Sequence, residues 1–348
     1  MDTEKILNMH AAPDFWKSRL SDIERTAATI QKATVSHFAT SAGGRKIPLF
    51  TYGAREDFHS TANYNSACGA KDPKYYADKT SAKPVVFIVG AVHGCELEGI
   101  AACMNLLQIA ETGKDLLGNN QVNIHEMIDK VRLLIVPCGN PDGRARFPFD
   151  FTLHETDSNT GLYTMGSNKA DVVYRWPFCK GYHPMKAHSN VLGAYYNDDG
   201  INAMHDNFFG GMAAETKAIL DTAGAEAADY TILLHSGGDI PTFIQQPWYV
   251  HQSCNDRIHT LDLMIEEESI KRGLNHEVQS VNGNAAQPVP PTFNLNSAIH
   301  HVCGGVSILY ETYSNCATDP FKYSAEQVLD MHNVLFEKTL ELALREKE

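Results

Sequence analysis

The stretch VVFIVGAVHGCELEG, residues 85–99, joins a candidate buried strand to two polar side chains. Its first part, VVFIVGAV (85–92), is a short and continuous apolar run, which is typical of a strand buried on both faces of a sheet. His93 follows this run directly, and Glu96 comes three residues later. Because ligands of open α/β sheets bind beyond the carboxyl ends of the strands, both side chains stand where a functional site is expected.

The alternation of strand and helix continues along the chain. Three further runs have the character of buried strands: VRLLIVP (131–137), YTILLHS (230–236) and VSILYET (306–312). Helical patterns lie between and after them, at residues 98–111, 212–228, 256–273 and 324–348. Near the start, AGGRK (42–46) favours the turn of a β-hairpin. This order predicts a single α/β domain over residues 1–348, with a sheet covered by helices.

One long segment, residues 139–212, lacks this regularity. It has few periodic patterns and many glycine, asparagine, aspartate and aromatic residues. A loop of this length inside a compact domain is usually functional, or it contains elements that the sequence pattern does not reveal.

Composition narrows the class of protein. The formal net charge of −13 disfavours a nucleic-acid partner, because such partners are bound by lysine and arginine. No apolar run reaches the roughly 18 residues that a membrane span needs. The chain starts without a basic segment followed by an apolar one, so we expect no signal peptide. The eight cysteines are scattered singly, which is typical of reduced thiols in a cytoplasmic protein.

Two more polar side chains occupy the same kind of position as His93 and Glu96. His235 lies at the end of the run 230–236, and Glu311 lies at the end of the run 306–312. Two imidazoles and a carboxylate are a ligand set of catalytic zinc, which keeps a further position open. Glu311 would then remain as a base for the hydrolytic water.

None of these residues is decisive alone. A chain with 16 histidines contains about one His-x-x-Glu spacing by chance. A histidine at a strand end is more often a hydrogen-bonded structural residue than a ligand, and Glu311 alone could be a salt-bridged carboxylate. The hypothesis depends on the fact that all the candidates follow β runs.

Four ordered motifs resemble those of the zinc carboxypeptidase family: GAVHGCELEG (90–99), VPCGNPDGRAR (136–146), LLHSGG (233–238) and SILYETYS (307–314). The resemblance spans about residues 30 to 340. It implies a single α/β domain with a mixed, largely parallel eight-stranded sheet. It also implies one zinc ion per chain and a peptide or small amide as substrate, and it leaves the oligomeric state open.

The resemblance assigns roles to individual residues. By position in the motifs, His93, Glu96 and His235 match the zinc ligands, and Glu311 matches the general acid/base. The family also polarises the scissile carbonyl with an arginine, for which Arg175 in VVYRWPFCKG (172–181) fits best.

Other residues of the same motifs have less definite roles. Arg144 and Arg146 remain candidates for substrate binding, although an ion pair that packs the loop is the commoner role of such residues. A residue that orients His93 is expected as well, and Asp142 or Asn202 would serve.

The chain departs from the family where the carboxyl terminus of a substrate is bound. The stretch DDGINAMHDNFF (198–209) stands where the family has Asn-Arg-Asn-Phe. Asn207 matches, but Asp206 takes the place of the arginine and His205 that of the preceding asparagine. No lysine or arginine occurs between Lys186 and Lys217. The family tyrosine about two dozen residues before the catalytic glutamate is also absent from residues 283–305.

These departures lead to two expectations for the substrate end. Either Asp206 favours a neutral or cationic group beside it, or Asp206 caps a turn and faces away.

The sequence as a whole predicts a zinc-dependent hydrolase of amide bonds, most simply a peptidase. Two alternatives stay open: an N-acyl amino acid deacylase or amidase of the aspartoacylase type, and a zinc-binding protein without catalytic activity on the same scaffold.

Overall fold

The computed structural model of the chain describes residues 12–56, 62–73, 76, 83–153, 159–237, 242–278, 292–314 and 322–347. The strands in this part of the chain are β1 (Thr34–Thr40), β2 (Lys46–Tyr52), β3 (Val85–Gly90), β4 (Arg132–Val136), β5 (Gly166–Asn168), β6 (Ser189–Leu192), β7 (Tyr230–Ser236), β8 (Phe243–Gln245) and β9 (Val306–Thr312).

The helices are α1 (Leu20–Thr29), α2 (Tyr64–Gly69), α3 (Leu97–Thr112), α4 (Val122–Ile128), α5 (Pro141–Arg146), α6 (Thr160–Met165), α7 (Ala214–Ala225), α8 (Gln252–Arg272), α9 (Leu295–Cys303) and α10 (Ala325–Arg345). Three short 3₁₀ turns lie in the segment without sequence periodicity: Phe178–Lys180, Met185–His188 and Ala203–His205.

The main sheet has the strand order β1-β2-β4-β3-β7-β9-β8. Its centre is parallel, because β4, β3, β7 and β9 pair side by side in the same direction. The pairs β1–β2, β2–β4 and β8–β9 at the two margins are antiparallel. The mixed α/β sheet is as expected, but the described residues give it seven strands rather than eight, and half of its pairings are antiparallel. The hairpin around residues 42–46 places β1 and β2 at one margin, and β5 and β6 form a separate small sheet.

The four central strands coincide with the four apolar runs, and alternate side chains of each strand face opposite layers. Val86 and Ile88 of β3 belong to a buried cluster with residues of α3, α8 and α10. Phe87 and Val89 belong to a second cluster with residues of α7 and α9. The sheet is therefore covered on both faces, which explains why its strands are continuously apolar.

Two further sequence expectations concern the described residues. No helix among them is long and apolar enough to cross a membrane. Among the described cysteines, Cys68, Cys103, Cys138, Cys179 and Cys254 are thiols outside any disulfide.

Candidate metal and catalytic site

The turn between β3 and α3 presents His93 and Glu96. A glycine at position 94 is required there, because a Cβ atom would lie 2.1 Å from the backbone nitrogen of Arg144 and 2.3 Å from the carbonyl carbon of Gly143. The backbone N–H of Gly94 donates to the carbonyl oxygen of Ala194, with 2.9 Å between the atoms. The turn is thus held against two parts of the segment 139–212, which lie around the site.

The sheet brings the third polar group to the same place. In the register of β3 with β7, Gly90 lies opposite Leu234, so His235 follows immediately at the adjacent strand end. His93 Nδ1 lies 2.8 Å from Glu96 Oε1, and His235 Nδ1 lies 2.8 Å from Glu96 Oε2. One nitrogen or carboxylate oxygen from each of the three residues lies within 4.8 Å of the others. All three side chains are buried.

Asn202 orients the imidazole of His93. Asn202 Oδ1 accepts a hydrogen bond from the backbone N–H of Met204 at 3.0 Å, which identifies it as the oxygen of the amide. The same oxygen lies 3.1 Å from His93 Nε2, a distance that suits the imidazole tautomer with its proton on Nε2. Tyr195 stacks on the ring at a centroid distance of 3.5 Å. Of the two residues expected to orient His93, Asp142 instead contacts the hairpin turn of β1 and β2, through Ser41, Gly43 and Arg45.

This tautomer makes the site suitable for a cation. The lone pair of His93 Nδ1 and the carboxylate of Glu96 both accept, yet they lie 2.8 Å apart, so either a proton or a metal ion is needed between them. Burial lowers the pKa of His93, which disfavours the proton. Burial alone would raise the pKa of Glu96, but the two adjacent histidines outweigh it and hold this pKa at about 2. A carboxylate with two imidazoles is a donor set that fits zinc.

His235 has a different electrostatic balance. Burial opposes the charging of its imidazole, but the carboxylate of Glu96 outweighs burial and raises the pKa of His235. Its Nε2 atom has no hydrogen-bond partner.

Glu311 lies beside these groups on the neighbouring strand. In the parallel register of β7 with β9, Glu311 is the direct partner of His235. Its Oε2 atom is buried and has no hydrogen-bond partner among the described residues. Burial raises the pKa of Glu311 to about 7, although the charge of His235 opposes the shift. A carboxyl group with this pKa is suited to exchange a proton near neutral pH.

The three predicted arginines differ in their surroundings. The guanidinium of Arg144 donates to the carbonyl oxygens of Ser18 and Phe147 and pairs with Asp150. Arg146 pairs with Asp198 and donates to the carbonyl oxygens of Gly193, Tyr196 and Asn197. Both side chains therefore hold loop residues together, which is the commoner role of such arginines. The side chain of Arg175 is exposed and forms no hydrogen bond or ion pair with the described residues.

Lys180 is a cation near the site that the motifs did not single out. It ends the 3₁₀ turn Phe178–Lys180 and is half-buried. It lies close enough to Glu311 and His235 for its charge to lower the pKa of both groups. The one sequence signal that points to it is the spacing of Trp176 and Lys180 in WPFCK, which suits contact between an ammonium group and an aromatic ring.

Asp206 has the geometry of a cap on a turn. Its Oδ1 accepts from the backbone N–H of Asn207 at 2.7 Å, and its Oδ2 accepts from the backbone N–H of Ala213 at 2.8 Å. His183 Nε2 lies 3.4 Å from Oδ1. These bonds are the ones expected if Asp206 caps a turn, and they leave both oxygens occupied.

The two neighbours of Asp206 face different surroundings. The side chain of Asn207 is exposed. Burial lowers the pKa of His205 to about 3, and the charges of Lys180, His93 and His235 act in the same direction. His205 therefore lies among the positive groups of the site and is neutral. In the segment expected to contain the family tyrosine, residues 283–291 lie outside the described residues.

Comparison with known proteins gives one family match and several similar folds. The sequence profile of the zinc carboxypeptidase family matches residues 21–345. No curated protein gives a significant sequence match. Among solved structures, the metallo-carboxypeptidase of Burkholderia cenocepacia is 16% identical with a TM-score of 0.55, and the alignment covers 92% of this chain and 67% of that one.

Two other solved structures are similar to a comparable degree. Carboxypeptidase A of Helicoverpa armigera is 13% identical with a TM-score of 0.56, over 99% of this chain and 80% of that one. The metallo-carboxypeptidase of Pseudomonas aeruginosa, solved with (2-guanidinoethylmercapto)succinic acid, is 15% identical with a TM-score of 0.52, over 100% and 70%. At such identities these likenesses support the fold alone.

Proposed function

The chain belongs to the zinc carboxypeptidase family, and from this premise we propose that it hydrolyses amide bonds of peptides where β3, β7 and β9 end. The observation that supports the proposal most directly is the buried cluster of His93, Glu96 and His235, in which one possible ligand atom of each residue lies within 4.8 Å of the others. We propose that His93, Glu96 and His235 hold one zinc ion per chain. Zinc bound there supplies a Lewis acid, which polarises a carbonyl and makes water more acidic.

Glu311 is the proposed general base and acid. Its buried Oε2 atom has no hydrogen-bond partner in the part of the chain that the structure describes, which supports its role in accepting a proton from the attacking water. The water oxygen then bonds to the carbonyl carbon, and the π electrons of the carbonyl move onto its oxygen. When the C–N bond breaks, Glu311 returns the proton to the leaving nitrogen, so the carboxylate is regenerated.

Asn202 is the proposed support of the first ligand, and its replacement gives a test that does not depend on turnover. Changing Asn202 to leucine removes the acceptor that holds the proton on His93 Nε2. We expect zinc affinity to fall by about 10- to 100-fold, the usual effect of losing such a support. Competition with a chromogenic chelator measures the affinity, and Asn207→Leu, at an exposed asparagine of the same loop, is the control. Equal zinc affinity of Asn202→Leu and the parent protein would contradict the supporting role.

The substrate end is the part of the proposal in which this chain differs from the family pattern. Between Lys186 and Lys217 no lysine or arginine is present to bind a terminal carboxylate. The bonds from Asn207 and Ala213 support a capping role for Asp206. We therefore propose that this end of the site accepts carboxylate and amide termini with similar efficiency, and that Asp206 maintains the loop.

A panel of matched peptides tests the function and the substrate end together. With zinc supplied, the protein should cleave peptides that end in a carboxylate, an amide or an amine-bearing residue, with kcat/KM values within about tenfold because no terminal cation discriminates between them. Removal of zinc with a chelator should abolish all of these activities. Asp206→Asn should leave the ratios unchanged and cost about 1–3 kcal/mol of stability, since its amide nitrogen would face a backbone N–H.

Each other outcome of the panel has a defined meaning. A preference of more than 100-fold for the free carboxylate would return the protein to ordinary carboxypeptidases. Ratios that change in Asp206→Asn would make Asp206 a selector of the substrate end. Cleavage of N-acyl amino acids alone would favour a deacylase, and zinc binding without any amide hydrolysis would favour a non-catalytic protein.

A further inference from the structure

The turn that contains Lys180 is fixed to the wall of the site. Its middle residue, Cys179, is fully buried in a cluster with Cys95, Tyr195 and Tyr196. The hydroxyl of Tyr196 donates to the carbonyl oxygen of Cys179 at 2.6 Å. Tyr195, in the same cluster, stacks on His93. The backbone of the turn is therefore connected by packing to the first candidate ligand.

The side chain of Lys180 is held by an aromatic ring. Its Nζ lies 3.4 Å from the centroid of Trp176, four residues earlier in the same loop. A cation over an indole ring is attracted by the negative face of the ring, and this attraction strengthens where water is excluded. The ammonium group is thus confined without being neutralised, since the indole offers no negative charge.

Lys180 is unusual among the half-buried cations of this chain. Its ammonium group makes no ion pair or hydrogen bond with the residues that the structure describes, whereas Arg144 pairs with Asp150 and Arg146 with Asp198. Burial lowers the pKa of Lys180 to about 8, and Glu311 acts to raise it, so the group remains mainly charged at pH 7. A confined ammonium group without an anionic partner fits a negatively charged atom of a bound ligand.

The position of the ammonium group suggests which negatively charged atom of a bound substrate it contacts. It is close enough to Glu311 for the two charges to interact. Its charge also acts to lower the pKa of His235 and of His205. The packing of Cys179 with Tyr195, which stacks on His93, also places this turn beside the candidate ligands. In amide hydrolysis, negative charge develops on the carbonyl oxygen, and a fixed cation beside that oxygen is most effective.

We propose that Lys180, confined by Trp176 and by the packing of Cys179, stabilises the oxyanion that forms from the scissile carbonyl. This inference rests on the proposed function, because it assigns a further catalytic residue to the same reaction. When the water oxygen bonds to the carbonyl carbon and the proton moves to Glu311, the π electrons move onto the carbonyl oxygen, which faces Lys180. Breakage of the C–N bond removes that charge again. Trp176 is a positioning residue, since it acts through Lys180.

The experiment compares Lys180→Met with Lys180→Arg, tests the competing candidate with Arg175→Met, and uses Lys46→Met, at an exposed lysine of β2, as the control. With a peptide substrate, Lys180→Met should lower kcat by about 10²–10³-fold with little change in KM, the usual effect of losing an oxyanion partner. Lys180→Arg should recover part of the rate. Lys46→Met should retain kcat, and zinc content should be the same in all variants.

Binding provides a readout that does not depend on turnover. Calorimetry with a peptide phosphonate, which mimics the tetrahedral oxyanion, should show that Lys180→Met loses affinity by about as much as it loses kcat. The matched peptide with a non-hydrolysable ketomethylene group should bind both proteins equally. Trp176→Leu should weaken phosphonate binding by about two- to thirtyfold, the range expected when a ring contact to the cation is removed.

The possible failures can be distinguished. If the zinc-loaded protein cleaves no amide, the proposed function fails. If it cleaves peptides but Lys180→Met keeps kcat and phosphonate affinity, this inference is overturned while the function stands. A large loss in Arg175→Met, with Lys180→Met unaffected, would return the role to Arg175. If Lys180→Met does not fold, Lys180→Gln replaces it in the same measurements.

Discussion

Glu311→Gln is expected to lower kcat by about 10²–10⁴-fold while the fold and the zinc content are retained. The substitution keeps the size and shape of the side chain, but an amide does not accept the proton of the attacking water. No hydrogen bond within the described ranges of the chain depends on the charge of the affected Oε2 atom. Single-turnover kinetics with a peptide substrate measure the loss, and metal analysis of the same sample confirms that the ligands are intact.

The pH dependence gives a second signature of the same residue. A general base must be ionised, so kcat/KM should fall as pH decreases through the pKa of Glu311. Burial raises that pKa to about 7, and a bound zinc ion would lower it by its positive charge. The acidic limb of the parent profile should therefore lie below pH 7, and it should be absent from the residual activity of Glu311→Gln.

A suitable control is Glu215→Gln. Glu215 is also buried, and burial raises its pKa, but it accepts a hydrogen bond from the backbone N–H of Ala42 and lies on α7. This variant should change stability rather than kcat. If Glu311→Gln retained a rate within a few-fold of the parent, or if both variants lost activity equally, the proposed role of Glu311 would be wrong.

The predicted site residues that the structure brings together are those at the ends of strands. His93, His235 and Glu311 follow continuous apolar runs, and the burial of these runs on both faces determines that they are central strands. Once the strands are parallel neighbours, their carboxyl ends meet at one edge of the sheet, and the side chains there lie close together. The strand ends therefore predicted the cluster without a known structure.

The residues that the sequence left open lie in the segment 139–212. Its conformation depends on distant contacts, such as those of Gly94 with Arg144 and Ala194, which no local period reveals. The choice between Asp142 and Asn202 depended on which one reached His93 Nε2. Arg175 and Lys180 lie five residues apart in one loop. Cys179 is buried, and its neighbour Lys180 is half-buried, whereas Arg175 is exposed. Nothing local to the sequence indicates that burial.

The difference in strand number has a similar origin. The resemblance implied an eight-stranded sheet, but the central strands are the only ones with a clear apolar run. β8 has only three residues. In β1, buried and exposed side chains do not alternate. The hydrophobic period of the sequence therefore does not indicate the strands at the margins of the sheet. The number of marginal strands therefore had to come from the structure.

His93→Ala is expected to remove zinc binding, which is the largest effect on any property of the site. The proposed ligands are only three, so one deletion leaves an incomplete set. It also leaves the buried carboxylate of Glu96 without one of the two histidines that hold its pKa at about 2. The loss should exceed the 10- to 100-fold effect of removing a supporting residue such as Asn202.

Thermal stability makes the effect of zinc on this variant measurable without a substrate. A ligand that binds only the folded state stabilises it by RT ln(1 + [L]/Kd), so added zinc should raise the Tm of the parent protein and leave that of His93→Ala unchanged. His205→Ala is the matched control: its half-buried imidazole is electrostatically coupled to the same cluster but is not a proposed ligand, so this variant should keep its zinc. A His93→Ala protein with a full complement of zinc would refute the ligand assignment, because the metal would then be held by other residues.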